Sequence, residues 1–485
     1  MSQTINQPNV LAAPVLNLDR RGSATANVGL LIMALLEDRF NTTGHIRDAA
    51  QDARRRYIEA IEKLGGHVVS PALVESPEDA DRANAELRQA DLDLLVCIEI
   101  AYIQGGAVIR ALRDIDVPIL IWNAQTESSL PEAGDFDFLM TNIGTAGVPE
   151  MTNAFIRTGR RFEMISGALG DAATEGQLRE HLRGAAAAGV LRRARIGFIG
   201  HEYPFMTDLQ VDRLQLLSQL GPLAVSIEPD ELAALAAGRP EADVREVTSA
   251  ITSRYRNDGV APEMLERVSR TALALEILVN TYTLDALASF EQALLPDPRI
   301  GVIPSLAESL LMAAGIPVAA EGDLSTVSAM LVAKAIAGHC TFLESSFLDF
   351  DSDRMYMTHD GLGNPELADL ATLRLTDGIY YRGVNGMGPA AEYAYQTGPV
   401  TLASIASVEE GRWRMIVGQG RAEPCTPRPV AAPQMLWRHE ESSIGSYFDR
   451  YCAAGGIHHF AGAYGHHATV LEKAARYLGI QFARV

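Results

Sequence analysis

The chain is poor in cysteine and aromatic residues, and no apolar run in it is long. Its four cysteines, Cys97, Cys340, Cys425 and Cys452, lie far apart, three of them in apolar surroundings. They read as buried, reduced thiols and not as a disulfide framework. No stretch approaches the roughly 18–20 apolar residues of a membrane span, and no basic segment followed by an apolar core opens the sequence. The expectation is a cytoplasmic protein with no membrane partner. A formal net charge of −20 without a Lys/Arg cluster argues against nucleic acid or an anionic surface as partner. Neither GxGxxG nor HExxH occurs; Gly197-x-x-Gly200 lacks the nucleotide-loop spacing and reads as a tight strand–helix turn. Internal repeats and low-complexity segments are absent as well.

What remains is a soluble, globular chain of 485 residues, 47% apolar, long enough for two or three domains. Residues 1–26 are polar and read as an N-terminal arm. From 27 to 185 short apolar strands (Val28–Ile32, His67–Ser70, Leu94–Ile98, Pro118–Trp122) alternate with helices such as Ile46–Leu64, which ends at Gly65-Gly66. The pattern predicts a parallel sheet covered on both faces. A second such unit is expected over 186–335, with strands at Arg195–Gly200 and Val225–Glu228 and helices at Met206–Leu220, Ala261–Leu278 and Leu324–Ala337. Over 336–485 strand-like segments with turn residues dominate, predicting a mainly antiparallel sheet or small barrel closed by the helix Thr469–Leu478. The fold class is therefore α/β: two successive doubly wound domains followed by a mainly β domain.

Two carboxylates and two histidines in the last third carry the chemistry. Glu321 lies in Ala-Ala-Glu-Gly-Asp, where Asp323 suits the cap of the following helix better and leaves Glu321 for another task. Glu344 ends the apolar run Thr341–Leu343, where an unpaired carboxylate would cost several kcal/mol; Asp349 takes its place if the strand register differs. His359 follows the strand Arg354–Thr358 and precedes a turn. His458 and His459 are adjacent, so their side chains diverge and one of them is the expected ligand. Such a set of carboxylate oxygens and imidazole nitrogens suits a divalent cation. His201, at the carboxyl end of a strand, stands where parallel sheets bind ligands.

The stretch Glu321–Gly361 resembles the metal-binding region of the L-arabinose isomerases and, more loosely, the L-fucose isomerases. A Glu-Gly-Asp opens a long helix, an apolar Phe-x-Glu segment follows, a strand ends in His, and Gly455-Gly456-Ile457-His458-His459 matches the Gly-Gly-x-His-His near the C-terminus. Gly386-Met387-Gly388-Pro389, Thr397–Leu402 and Gly411–Val417 resemble the C-terminal sheet of that family. The resemblance is strong over 300–485 and thin over 1–200. It implies a metal set of Glu321, Glu344, His359 and His459, and a catalytic pair, Glu321 and Glu344. Gln125, His201 and His458 would meet the substrate. It also implies a closed homo-oligomer, trimer or hexamer, in which the first domain of one chain closes the site of another. Ser345-Ser346 and the stretch Asn123–Glu127 depart from the arabinose pattern, so selection of a different sugar is expected.

These ligands fit aldose–ketose isomerisation of an open-chain sugar, in which a cation, Mn²⁺ by preference over zinc, stabilises an ene-diolate while carboxylates move protons. No organic cofactor is needed. Two other readings use the same residues: a metal-dependent lyase or hydrolase of a sugar acid, and a non-catalytic sugar-binding homologue.

Overall fold

Continuous apolar runs become buried parallel strands in the first unit, because a strand with helices on both faces has no solvent side. The computed structural model describes residues 14–34, 45–294, 296–379 and 385–485. Among the described residues two compact units emerge, one within residues 24–189 and one formed by residues 14–23 with 190–485. In the first, β1 (Ala26–Met33), β2 (Gly66–Val69), β3 (Leu94–Glu99), β4 (Ile119–Gln125) and β5 (Glu163–Ala168) form a parallel sheet in the order β2-β1-β3-β4-β5. Every residue of β3 is buried. Ser76 caps the helix Pro77–Leu87 by accepting from the Asp79 N–H at 3.2 Å.

The second unit joins a parallel layer to a barrel. β6 (Arg195–Ile199), β7 (Leu223–Ile227), β9 (Ala286–Ser289) and β10 (Val318–Ala319) form a parallel sheet in the order β10-β9-β6-β7; β8 (Arg256–Asn257) lies outside it. The remaining strands are β11 (Thr341–Asp349), β12 (Arg354–Thr358), β13 (Arg374–Ile379), β14 (Asn385–Ala394), β15 (Gly398–Ser407), β16 (Trp413–Glu423), β17 (Pro433–His439), β18 (His459–Tyr464) and β19 (Gln481–Arg484). The run β16-β15-β18-β11-β12-β17 is antiparallel throughout, and β17 pairs back onto β16, closing a small barrel. Closure removes the exposed edges that an open sheet would present. Met355, Met357, Leu402, Met415, Trp437 and Phe460 are buried in this region. Strands β19 on one side, and β14, β13 and β8 on the other, extend the sheet beyond the closed ring.

Several details differ from the sequence reading. Of the arm read at 1–26, residues 1–13 lie outside the described residues. Residues 14–23 are not loose: Leu16 and Leu18 are buried, and the Arg20 N–H donates to the Ala314 carbonyl at 2.8 Å. The boundary expected at 185/186 lies in the helix Ala172–Arg193, within which the two compact units also divide, at 189/190; the helix Leu324–Ala337, near whose end the other expected boundary lies, packs on β15 and β18. Met206–Leu220 is not a single helix. Residues 201–212 form turns, and helical structure begins only after Asp212, whose carboxylate caps it by accepting from the N–H groups of Leu214 and Gln215. The four cysteines are unpaired, but only Cys97 and Cys340 are buried; Cys425 is half-buried and Cys452 exposed. No described helix is long and apolar enough to cross a membrane.

Beneath the parallel layer lie two buried carboxyls, Glu291 and Glu308. Burial lifts Glu291 to about 8, helped by the neighbouring charge of Glu308, and lifts Glu308 to about 7. Neither oxygen of Glu308 has a hydrogen-bond partner. The folded state therefore holds these protons more tightly than the unfolded chain does. The associated stability is full below the ordinary carboxyl value of 4.5 and is lost as pH rises to about 7–8. Glu308→Gln, which keeps the shape without the charge, is expected to flatten this slope. Its melting temperature should exceed that of the wild type at pH 8 more than at pH 5, and parallel pH–melting curves would contradict the assignment.

Candidate metal centre

The carboxyl edge of the parallel layer delivers the first donor. After β10 the chain turns sharply, placing Glu321 at φ 60° and Gly322 at φ 71°, both left-handed. A non-glycine residue there costs on the order of 1–3 kcal/mol and persists only where its surroundings hold it. Three hydrogen bonds do so. The Glu321 N–H donates to Glu291 Oε2 at 2.9 Å, the Tyr203 N–H donates to the Glu321 carbonyl at 2.9 Å, and the Gly322 N–H donates to the Ser289 carbonyl at 3.0 Å. A Cβ on residue 322 would lie 2.5 Å from the His201 carbonyl oxygen, so only glycine fits.

Asp323 follows at once and is fully buried. Its Oδ1 accepts from the Thr326 N–H at 2.8 Å, capping the helix Leu324–Ala337, while its Oδ2 accepts from His459 Nδ1 at 2.9 Å. That second bond fixes the ring and turns Nε2 toward Glu321, 3.7 Å from its Oε2. His459 opens β18 and has no exposed side-chain surface. His359 lies just past β12, and its ring centroid is 5.4 Å from that of His459. The buried Phe342 packs against both rings, at 4.9 and 4.6 Å. Burial, and then repulsion from His459 and His458, push His359 well below the usual histidine range, so its ring is neutral with a lone pair to offer.

Glu321, His359 and His459 each present one donor atom, and these atoms lie within 4.8 Å of one another; no other such group of three occurs among the described residues. Glu321 Oε2, His359 Nδ1 and His459 Nε2 are buried, and no hydrogen bond satisfies them. Orphaned donors in a dry pocket cost about 1–3 kcal/mol each, a cost that a bound cation removes. The mixed oxygen and nitrogen set fits a divalent first-row ion.

The other predicted residues fall around this trio. Glu344 is half-buried on β11, directly opposite His459 in the β11–β18 register, but outside the 4.8 Å group. Burial raises its proton affinity; His459 and His458 oppose the shift, while Glu321 and Asp360 add to it. Asp349 is not an alternative donor. It sits at the far end of β11, where its Oδ1 accepts from the Ser352 N–H at 3.0 Å and holds the hairpin turn. His458 reaches Glu321 Oε2 at 3.7 Å through Nε2. His201 is exposed, its ring 4.5 Å from that of Phe290, and its nearby backbone walls the Gly322 turn. Gln125 is exposed at the carboxyl end of β4, in the other unit.

Sequence reasoning missed Asp208, Glu291 and the second duty of Asp323. Asp208 Oδ2 lies 2.6 Å from His458 Nδ1. Burial favours neutral forms of both groups, but the hydrogen bonds between them outweigh it, raising His458 to about 10 and lowering Asp208 to about 2. Only the capping role of Asp323 has a local signal; the others arise from contacts across more than a hundred residues or from a buried loop.

No protein-family model matches the chain. It is 23% identical to the L-arabinose isomerase of Mycolicibacterium smegmatis over 392 residues, 78% of this chain and 77% of the relative. It is 23% identical to that of Erwinia tasmaniensis over 368 residues, 72% of each chain. Against the L-arabinose isomerase of Geobacillus thermodenitrificans the identity is 22% over 392 residues, 77% of each. The likeness runs through some three quarters of the sequence and supports a relation to the sugar isomerases of the arabinose and fucose type.

Proposed function

We propose that the protein is a metal-dependent aldose–ketose isomerase acting on an open-chain sugar. The observation that carries this reading is the set of three buried donor atoms, on Glu321, His359 and His459, left without hydrogen bonds beside a second carboxylate, Glu344. When bound, a cation such as Mn²⁺ supplies Lewis-acid stabilisation of the negative charge that develops on the sugar oxygens. The chain's own groups do the proton work. A carboxylate, Glu321 or Glu344, takes the proton from C2, giving an ene-diolate, and returns it to C1, while the O2 proton passes to O1. The redox balance is unchanged and no organic cofactor takes part. Glu344 suits the base role because burial raises its proton affinity. Phe342 and the buried rings of His359 and His459 keep one wall dry, which strengthens every charge interaction inside.

The donor set is tested by metal content. Purified protein loaded with Mn²⁺ should hold one ion per chain, and His359→Ala or His459→Ala should lose it. Asp323→Asn separates orientation from stability, because asparagine caps a helix as well as aspartate does. Mn²⁺ affinity should fall about 10–100-fold, the usual effect of removing a carboxylate behind a ligating histidine, while the melting temperature of the metal-free protein stays close to wild type. Full Mn²⁺ retention in both histidine variants would remove this cluster as the metal site.

The chemistry is tested by isotope exchange. Incubating pentoses, 6-deoxyhexoses and tetroses with enzyme and Mn²⁺ in D₂O should give an isomer carrying deuterium at the exchanged carbon. Glu321→Gln and Glu344→Gln are each expected to slow turnover roughly 10²–10⁴-fold. Fragments in place of an isomer would point to a lyase or hydrolase, and Mn²⁺ binding without turnover to a sugar-binding homologue.

The same reading includes assembly into a homotrimer or homohexamer, with Gln125 of one chain serving the site of a neighbour. Mixing Gln125→Ala with Glu344→Gln, each inactive alone, should then restore part of the activity once subunits exchange. A fully active monomer by light scattering would exclude the arrangement.

A further inference from the structure

The turns at 201–212, which the sequence pattern assigns to helix from Met206 onward, carry Asp208 to the mouth of the cluster. A single oxygen, Oδ2, accepts from the His458 backbone N–H at 3.1 Å and from its ring Nδ1 at 2.6 Å. One acceptor gripping both the backbone and the ring of the same residue fixes that ring against its own main chain. The opposite nitrogen, Nε2, then points inward, 3.7 Å from Glu321 Oε2. The ring lies 3.9 Å, centroid to centroid, from that of His459. His458 is 30% exposed and His459 not at all, so His458 stands between solvent and the buried donors.

We propose that Asp208 is a positioning residue for the isomerisation, acting through His458. It holds the imidazole so that Nε2 faces the space beside Glu321, where the oxygens of a sugar undergoing proton transfer would lie. The inference rests on the isomerase reading. A merely structural Asp208 would tie the 201–212 turns to the start of β18 and affect folding alone; a positioning Asp208 affects turnover only while His458 is present to be positioned.

The test is a double-variant cycle with Mn²⁺-loaded full-length enzyme. Asp208→Ala should lower kcat/KM about 10–100-fold, chiefly in kcat, with Mn²⁺ content unchanged. Asp208→Asn, which keeps one acceptor oxygen, should recover part of that loss and is also the variant to use if the alanine protein folds poorly. In a His458→Gln background the effect of either substitution should shrink to about twofold or less, the scatter seen for uncoupled changes. An undiminished loss in that background, or wild-type kinetics in Asp208→Ala, would overturn the proposal. A second readout is independent of turnover. The Nδ1 proton shared between His458 and Asp208 should give a downfield imidazole resonance in the wild type that disappears in Asp208→Ala and in His458→Gln. A wild type that shows this resonance yet isomerises no sugar would reject the isomerase reading while leaving the grip of Asp208 on His458 intact. A wild type lacking the resonance would reject the grip itself.

Discussion

The site depends on a backbone turn that a glycine adopts readily and a glutamate only against its preference. Glu321 and Gly322 are both left-handed, and a glutamate tolerates that state only under restraint. The restraint comes from the buried carboxyl of Glu291, from the Tyr203 backbone and from the end of β9. Without the turn, β10 would run directly into the helix Leu324–Ala337, and Glu321 would join its first turn as an ordinary N-terminal acid. With it, the carboxylate leaves the helix axis and faces the barrel. Glu291 serves by staying buried, and the cost appears as a raised proton affinity shared with Glu308. Strain and desolvation are thus concentrated within one shell, where they fix the donor's position.

The barrel contributes its donors through register. β11 and β18 pair so that Glu344 faces His459, and Phe342 faces Ala461. A shift by one residue would turn Phe342 outward and exchange the faces of every donor on these strands. Both strands are flanked on either side, β18 by β15 and β11 by β12, so neither offers a free edge at which such slippage could begin. The parallel layer gives Glu321, the β12 end gives His359 and the β18 start gives His459. Donors from three separate elements are held by pairing rather than by local sequence, which explains why the set resembles no compact metal motif.

How far the sequence reveals this follows from where each signal resides. The helix Leu324–Ala337 is read to the residue because both of its ends are local: Asp323 caps the start, and Gly338, left-handed at φ 82°, ends it. The short parallel strands are legible for the same reason, as apolar runs between turn residues. The stretch Met206–Leu220 misleads because its apolar spacing is helical, whereas the cap that decides the start is Asp212. That error hides Asp208, since a residue assigned to a helix surface is not expected at a site. Glu291 and Glu308 are unreadable from their surroundings, because only the fold buries them. The role of Asp349 turns on the register of one hairpin, which spacing alone leaves open.

His458 and His459 show how completely environment divides two identical side chains. They are consecutive, and, contrary to the divergence expected of neighbouring strand residues, their rings lie 3.9 Å apart with both Nε2 atoms 3.7 Å from Glu321 Oε2, because His458 precedes β18. His459 is fully buried, and its Nδ1 is taken by a carboxylate from the helix cap, which leaves Nε2 facing Glu321. His458 remains partly exposed, and its Nδ1 is taken by a carboxylate from a loop, which with help from Glu321 raises it to about 10 and makes it a cation. In each case an aspartate fixes the ring, Asp323 the buried one and Asp208 the partly exposed one. Exchanging the two environments would place a cationic ring inside the buried cluster and a neutral one at the partly exposed position beside it. The pairing of each histidine with its own aspartate is therefore what makes one dipeptide serve both the buried donor group and its entrance.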